Sequence, residues 1–198
     1  MEILFQDRDI AVIVKPVGMD SEKEMPQALK QQLGGEFYPV HRLDQNVSGV
    51  MVYARNPAAA AELSRQIAGG SFVKEYVALV HGTPPETGDW TDLLFKDSRK
   101  NKVFVVKKQR AGVKQARLTF SRMTQGEASL VRIRLYTGRS HQIRVQFASR
   151  GFPLVGDHKY GSRAKETAPY LFSCCLRFCY KGEERCFELL PDWAAPES

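Results

Sequence analysis

The sequence has no apolar run approaching the ~20 residues that a membrane-spanning helix needs. Its start, Met1-Glu2-Ile3-Leu4-Phe5-Gln6-Asp7, has neither the basic opening nor the apolar stretch of a secretory leader. Both absences predict a cytoplasmic protein without membrane contact. No segment repeats, no tract is of low complexity and no linker is long enough to separate domains, so residues 1–198 are expected to form one domain. Cysteine is scarce. Cys174, Cys175, Cys179 and Cys186 crowd the C-terminal quarter without a CxxC pair or a His close by. That spacing argues against zinc and for buried strand thiols in a reducing compartment. Acidic residues are also in deficit: 22 Asp and Glu against 29 Lys and Arg leave a net charge of +7. Such a balance suits a polyanionic partner, because each phosphate neutralised releases counterions, although it equally serves solubility.

What is present can build a core, since 43% of the 198 residues are hydrophobic. The run Ile10-Ala11-Val12-Ile13-Val14 reads as a buried strand closed by the turn Lys15-Pro16-Val17-Gly18. Residues 25–33 read as a short helix ending at Gly34-Gly35, and Gly49 to Ala54 as a second strand. Asn56 caps a helix that opens at Pro57 and stops at Gly69-Gly70. Phe72 to Val80 is strand-like, with Tyr76, Ala78 and Val80 on one face. Residues 115–123 and 128–136 form a predicted hairpin, and Ser140 is expected to cap a helix from His141 to Arg150, stopped by Gly151. Strands near 170–180 and 185–190 close the chain. Strands outnumber helices and connections are short, which predicts an α+β fold on a mixed, largely antiparallel sheet with flanking helices.

Three constellations could carry chemistry. In His41-Arg42-Leu43-Asp44-Gln45-Asn46-Val47-Ser48-Gly49, polar side chains precede a buried strand that could aim them. Alone, this could equally be a turn in which Asp44 and Ser48 satisfy backbone amides. In Tyr136-Thr137-Gly138-Arg139-Ser140-His141-Gln142-Ile143-Arg144, a Gly-Arg turn feeds a helix start that suits a phosphate. Arg144 lies one turn after His141, so the two share a face, and Asp44 is the carboxylate that an inward-leaning arginine would seek. In Phe72-Val73-Lys74-Glu75-Tyr76, a tyrosine interrupts an apolar strand, where a core role is the commoner one. Between Lys96 and Arg117, nine Lys or Arg face one Asp. These residues, Lys100, Lys102, Lys107 and Lys108 among them, bracket Val103-Phe104-Val105-Val106 and are a candidate RNA-facing surface, although a charge run is usually a solvated face.

Taken together, HRLD followed by Ser48-Gly49, KEYVALVHG (residues 74–82) and TGRSHQIR (137–144) resemble the signature motifs of RluA-family pseudouridine synthases. Lys15-Pro16-Val17-Gly18-Met19 and Gly156-Asp157 with Tyr160-Gly161 resemble two more, and all five come in that family's order across residues 3–193. The resemblance implies the pseudouridine synthase fold with a central active-site cleft, and isomerisation of uridine to pseudouridine in structured RNA, ribosomal or transfer. It implies Asp44 as the catalytic carboxylate, Tyr76 against the target base, Arg144 as the ion-pair partner of Asp44, and Arg42 entering the helix where the uridine leaves. His41, Arg139 and His141 join the basic run as expected RNA contacts. No cofactor or metal is implied, and a monomer is expected.

The chain departs from the family pattern in two places: Gln45-Asn46-Val47 stands where a basic-acidic-Thr triplet is usual, and Gln146 where His is common. The chain is also expected to begin directly at the catalytic domain, without the N-terminal RNA-binding domain of many relatives. Two competing readings are a catalytically impaired RNA-binding protein on the same fold and a metal-dependent hydrolase built from His41, Asp44, His141 and His158. The first would need no joint retention of Asp44, Tyr76 and Arg144, and the second lacks a tight ligand spacing.

Overall fold

The structure is a computed structural model that describes residues 1–195. In chain order its strands and helices begin with β1 (Ile3–Gln6), β2 (Ile10–Lys15), α1 (Glu24–Leu33), β3 (Tyr38–Pro39), β4 (Ser48–Ala54) and α2 (Pro57–Gly69). There follow β5 (Val73–His81), β6 (Thr87–Asp97), β7 (Lys102–Val106), β8 (Val113–Arg122) and β9 (Ala128–Leu135). Last come α3 (Gln142–Ala148), β10 (Leu171–Tyr180) and β11 (Glu183–Glu188). Where the sequence shows no boundary, the chain divides into two compact units: Met1–Lys74 with the chain from Phe172 onward, and Glu75–Leu171. Among the described residues no helix is long and apolar enough to cross a membrane.

In the first unit the strand order is β1-β2-β4-β10, with β11 added to β10 and β3 to β4. Neighbours are antiparallel except β4 and β10, which run parallel through Phe172 beside Ser48 and Ser173 beside Gly49. Gly49 is required there: its φ is +129°, and a Cβ would lie 2.4 Å from the Ser173 nitrogen. Ile10, Val12, Val50, Val52, Leu63, Leu176 and Phe178 form the core beneath α2. Each is fully or almost fully buried, at about 1.5–3 kcal/mol per side chain. The Asn56 side chain accepts from the Ala59 amide and Gly70 closes α2 in the left-handed region, as the boundary residues predict.

In the second unit the order is β5-β9-β8-β6-β7, with β8 antiparallel to both β9 and β6. The predicted hairpin is the β8–β9 pair. β6 and β1 carry no strand expectation from the sequence. β6 alternates exposed and half-buried residues, so its apolar face never stands out against water. Trp90 of β6 packs edge-on to Phe147 of α3, with ring centroids 4.7 Å apart. α3 is shorter than predicted. Ser140 does not cap it; His141 precedes the first turn at φ 50°, and Gln142 fixes the start by accepting from Thr137 Oγ1 and the Arg139 amide.

Candidate active site

Asp44 stands half-buried in the loop before β4, and the backbone on each side of it is held. Ser21 Oγ donates to the Leu43 carbonyl at 3.0 Å and accepts from the Leu43 amide at 3.3 Å. The Gln45 carbonyl accepts from the Gly18 amide at 2.8 Å and from Lys15 Nζ at 3.3 Å, while Gln45 Nε2 donates back to the Gly18 carbonyl. The Val47 amide closes the turn onto the Asp44 carbonyl at 2.9 Å. Lys15 is fully buried, and its ammonium also donates to the Pro16 and Met19 carbonyls, both at 2.8 Å. Burial lowers its pKa to about 8, against the attraction of Asp20, Asp44 and Glu24. Residues 15–21 therefore form a rigid seat for the Asp44 turn, which fits a group whose aim matters. By sequence Lys15 reads as the start of a turn and the head of a motif-like segment, with no role of its own. The signal for its larger role is a lysine ending an otherwise apolar strand.

His41 anchors the other end of this loop. Its Nε2 accepts from the Val52 amide at 3.2 Å, and its ring packs on Phe72 at 5.7 Å. Burial, with the charge of Lys74 adding, pushes its pKa down to about 3, so the ring is neutral. Arg42 is exposed and pairs with Glu22 at 2.8 Å. A surface pair of this kind is worth about 0–1 kcal/mol, so Arg42 can change partners cheaply.

In the second unit Arg144 is 5% exposed and forms a two-pronged pair with Asp157, Nε to Oδ2 at 2.7 Å and Nη2 to Oδ1 at 2.8 Å. Its guanidinium lies 5.2 Å over the Tyr160 ring, and Tyr160 Oη is 2.9 Å from His141 Nδ1. His141 and Arg144 thus share a face, as their spacing predicts, and that face meets the Gly156-Asp157…Tyr160-Gly161 segment. The sequence points to the motif that carries Asp157 but not to Asp157 itself. Gly156 permits the approach, with φ +78° and a would-be Cβ 2.1 Å from the Ala168 carbonyl oxygen. Tyr76 is 5% exposed on β5, and its neighbour Glu75 holds Arg132 of β9 at 2.7–2.8 Å.

The remaining candidates spread over the second unit. Arg139 Nε donates to the Gln115 carbonyl at 2.9 Å, and Lys102 lies 5.3 Å over the Tyr160 ring. Lys100, Lys107 and Lys108 are exposed. An exposed aromatic with no role expected from the sequence, Tyr136, carries Arg117 at 4.5 Å and Arg134 at 5.2 Å from its ring centre. His158, one of the four residues of the metal-hydrolase reading, has both ring nitrogens on backbone carbonyls, those of Ser162 and Glu166. Gln146 is fully buried and donates to Asp92 at 2.7 Å, which Arg150 also grips. This departure from the family pattern is thus tied into the packing of α3 on β6.

Comparison with known proteins places this arrangement. The family model described as RNA pseudouridylate synthase matches residues 9–149. An RNA pseudouridine synthase of Aquifex aeolicus, itself uncharacterised, is 31% identical over 96% of this chain and 69% of its own length. The mitochondrial tRNA pseudouridine(32) synthase of Saccharomyces cerevisiae is 33% identical, over 82% of this chain and 37% of its own. The ribosomal large subunit pseudouridine synthase D of Zymomonas mobilis is 34% identical, over 83% and 57%. The chain therefore spans between about a third and two thirds of these relatives. The solved structure of human RNA pseudouridylate synthase domain containing 1 superposes with a TM-score of 0.82 at 25% identity, over 96% of this chain and 83% of that one. The chain belongs to the RNA pseudouridylate synthase family, isomerases that act on uridine in RNA.

Proposed function

We propose that this chain, as a cytoplasmic monomer, converts uridine to pseudouridine in structured ribosomal or transfer RNA, with Asp44 as the attacking carboxylate. The observation that carries the assignment is the seat beneath Asp44, where three separate contacts fix the peptides on either side of one half-buried acid. The tRNA and ribosomal RNA named for the yeast and Zymomonas relatives support the substrate class. In the reaction the carboxylate bonds to the anomeric carbon of the sugar as uracil departs with the glycosidic electron pair. The uracil turns, its C5 forms the new bond to that carbon, and the carboxylate leaves. The C5 proton is lost and N1 gains one, so the reaction is redox-neutral and atoms balance without a co-reactant.

Arg144 is the cation expected to aim Asp44, and its two-pronged grip by Asp157 would hold the planar guanidinium in one orientation. Tyr76 would hold the detached uracil by stacking, and its hydroxyl can take a proton. The target base must leave its stack, at a cost of a few kcal/mol. Arg42, held only by a surface pair, is free to fill the gap, and Lys100, Lys102, Lys107 and Lys108 with Arg139 would offset the cost through phosphates. His141 would hold the Tyr160 side of this surface, and His41 serves from inside by tying the loop to β4.

The test is Asp44→Asn, which keeps size and removes the nucleophile. Pseudouridine formation in ribosomal and transfer RNA should vanish while RNA affinity and the folded state persist. Turnover at the wild-type rate would refute the assignment.

A further inference from the structure

Away from the proposed site, the β10–β11 hairpin brings three metal-binding groups together. Cys175 lies directly opposite Glu188 in the antiparallel register, and Cys186 is two residues before Glu188, so all three share one face of the hairpin. The opposite face carries Leu176, Phe178 and Phe187 into the core. The two sulfurs are 3.7 Å apart, and both lie within 4.8 Å of a Glu188 carboxylate oxygen. All four cysteines of the chain are thiols outside any disulfide.

We propose that Cys175, Cys186 and Glu188 form a binding site for one soft divalent cation of the zinc class. Two thiolates about 2.3 Å from a tetrahedral zinc ion stand about 3.8 Å apart, so the observed separation needs almost no adjustment. A disulfide, by contrast, would need the sulfurs to close to about 2.05 Å. The register also disfavours it. Cys175 and Cys186 are diagonal across the strand pair, where Cα atoms lie about 7–8 Å apart, beyond the ordinary reach of a disulfide. Glu188 is exposed, and its side chain can swing the short distance to supply the third ligand. The fourth position stays open for water.

Charge supports the assignment. A dication with two thiolates and one carboxylate carries a net −1, and Arg177 stands directly opposite Cys186 in the register. Its guanidinium balances that excess without occupying a ligand position. The bound ion would brace the last strand of the chain against β10. Spacing along the sequence hides the site, because its ligands come from the two arms of a hairpin and include no CxxC pair.

The experiment uses the full chain, reduced, treated with chelator and then freed of it. Cobalt(II) should bind one-to-one with the near-ultraviolet thiolate-to-cobalt charge-transfer band, and zinc should displace it. Cys186→Ser and Glu188→Gln change exposed residues and so leave folding intact; each should weaken binding by ~10-fold or more. Cys179→Ser, on the same hairpin, should change nothing. Absence of the band, or a band that survives Cys186→Ser, would overturn the site, as would one lost in Cys179→Ser.

Discussion

Replacing Arg144 by Met should be the most costly single change near the proposed site, and its cost can be worked from the pair it breaks. The guanidinium and the Asp157 carboxylate are 6% and 0% exposed, with two hydrogen bonds at 2.7 and 2.8 Å. Removing one partner leaves a buried charge uncompensated, which costs about 3–5 kcal/mol. With a urea m-value of about 2 kcal/mol/M, the unfolding midpoint falls by about 1.5–2.5 M. Adding Asp157→Asn to Arg144→Met removes the stranded charge and should return a good part of that loss, giving a coupling of about 0.5–3 kcal/mol in the double-mutant cycle. Midpoint losses that simply add would refute the pair as a unit. The same cycle with Asp44→Asn tests the second role proposed for Arg144. Coupling there, together with abolished turnover, is what an arginine serving both carboxylates requires. Arg144→Lys keeps the charge but loses the fork, so it should retain more stability than Met while activity falls well below wild type.

Three further outcomes follow from the same geometry. His41 takes up its proton at about pH 3 in the folded chain, against 6.5 when exposed, so the unfolded state binds the proton first as pH falls. The stability this gives is complete above pH 6.5 and lost between 6.5 and 3, about 2 kcal/mol of it by pH 5 at ~1.4 kcal/mol per unit; His41→Gln should flatten the acid limb of a stability-against-pH curve, and an unchanged limb would show that the ring is not enclosed. Tyr76→Phe should preserve RNA binding while turnover drops sharply, and single-turnover kinetics at the wild-type rate would leave Tyr76 a packing role alone. Neutralising Lys107 and Lys108 should flatten the slope of log affinity against log salt by up to about one unit for each phosphate left without its lysine, and an unchanged slope would make this segment an ordinary solvated face.

Local signals carried much of the fold. Asn56-Pro57 with Gly69-Gly70 marked α2 to the residue, because capping and left-handed glycine are decided within one helical turn. The alternating face of residues 128–136 marked β9, because Val131 and Ile133 are buried on one side while Arg132 and Arg134 stay more open on the other. β6 escaped for the opposite reason: its residues are polar or half-exposed along most of its length, and only pairing with β8 and β7 makes it a strand. The start of α3 was misplaced because Ser140 has the right chemistry for a cap, whereas the loop puts His141 into the left-handed region, no side chain caps the helix, and Gln142 instead holds the preceding turn through Thr137 and the Arg139 amide. Asp157 escaped because its partner is 13 residues away and set by the turn at Gly156. Long-range pairings of this kind leave composition clues but no periodicity.

The departures from the family pattern fall at residues other than those proposed to react. Val47 is 2% exposed, so it can fill the apolar space beneath the turn, where a threonine hydroxyl would need a buried partner. Gln45 turns its amide back onto Gly18, and its carbonyl receives Lys15. Gln146 likewise replaces a titratable ring by a neutral amide that shares Asp92 with Arg150. In each case a group that would carry charge or a hydroxyl gives way to a neutral one, and the roles proposed for Asp44, Tyr76 and Arg144 do not depend on the group replaced. Substitutions that keep a seat rigid while changing its chemistry leave room for a different RNA partner without altering the carboxylate they hold.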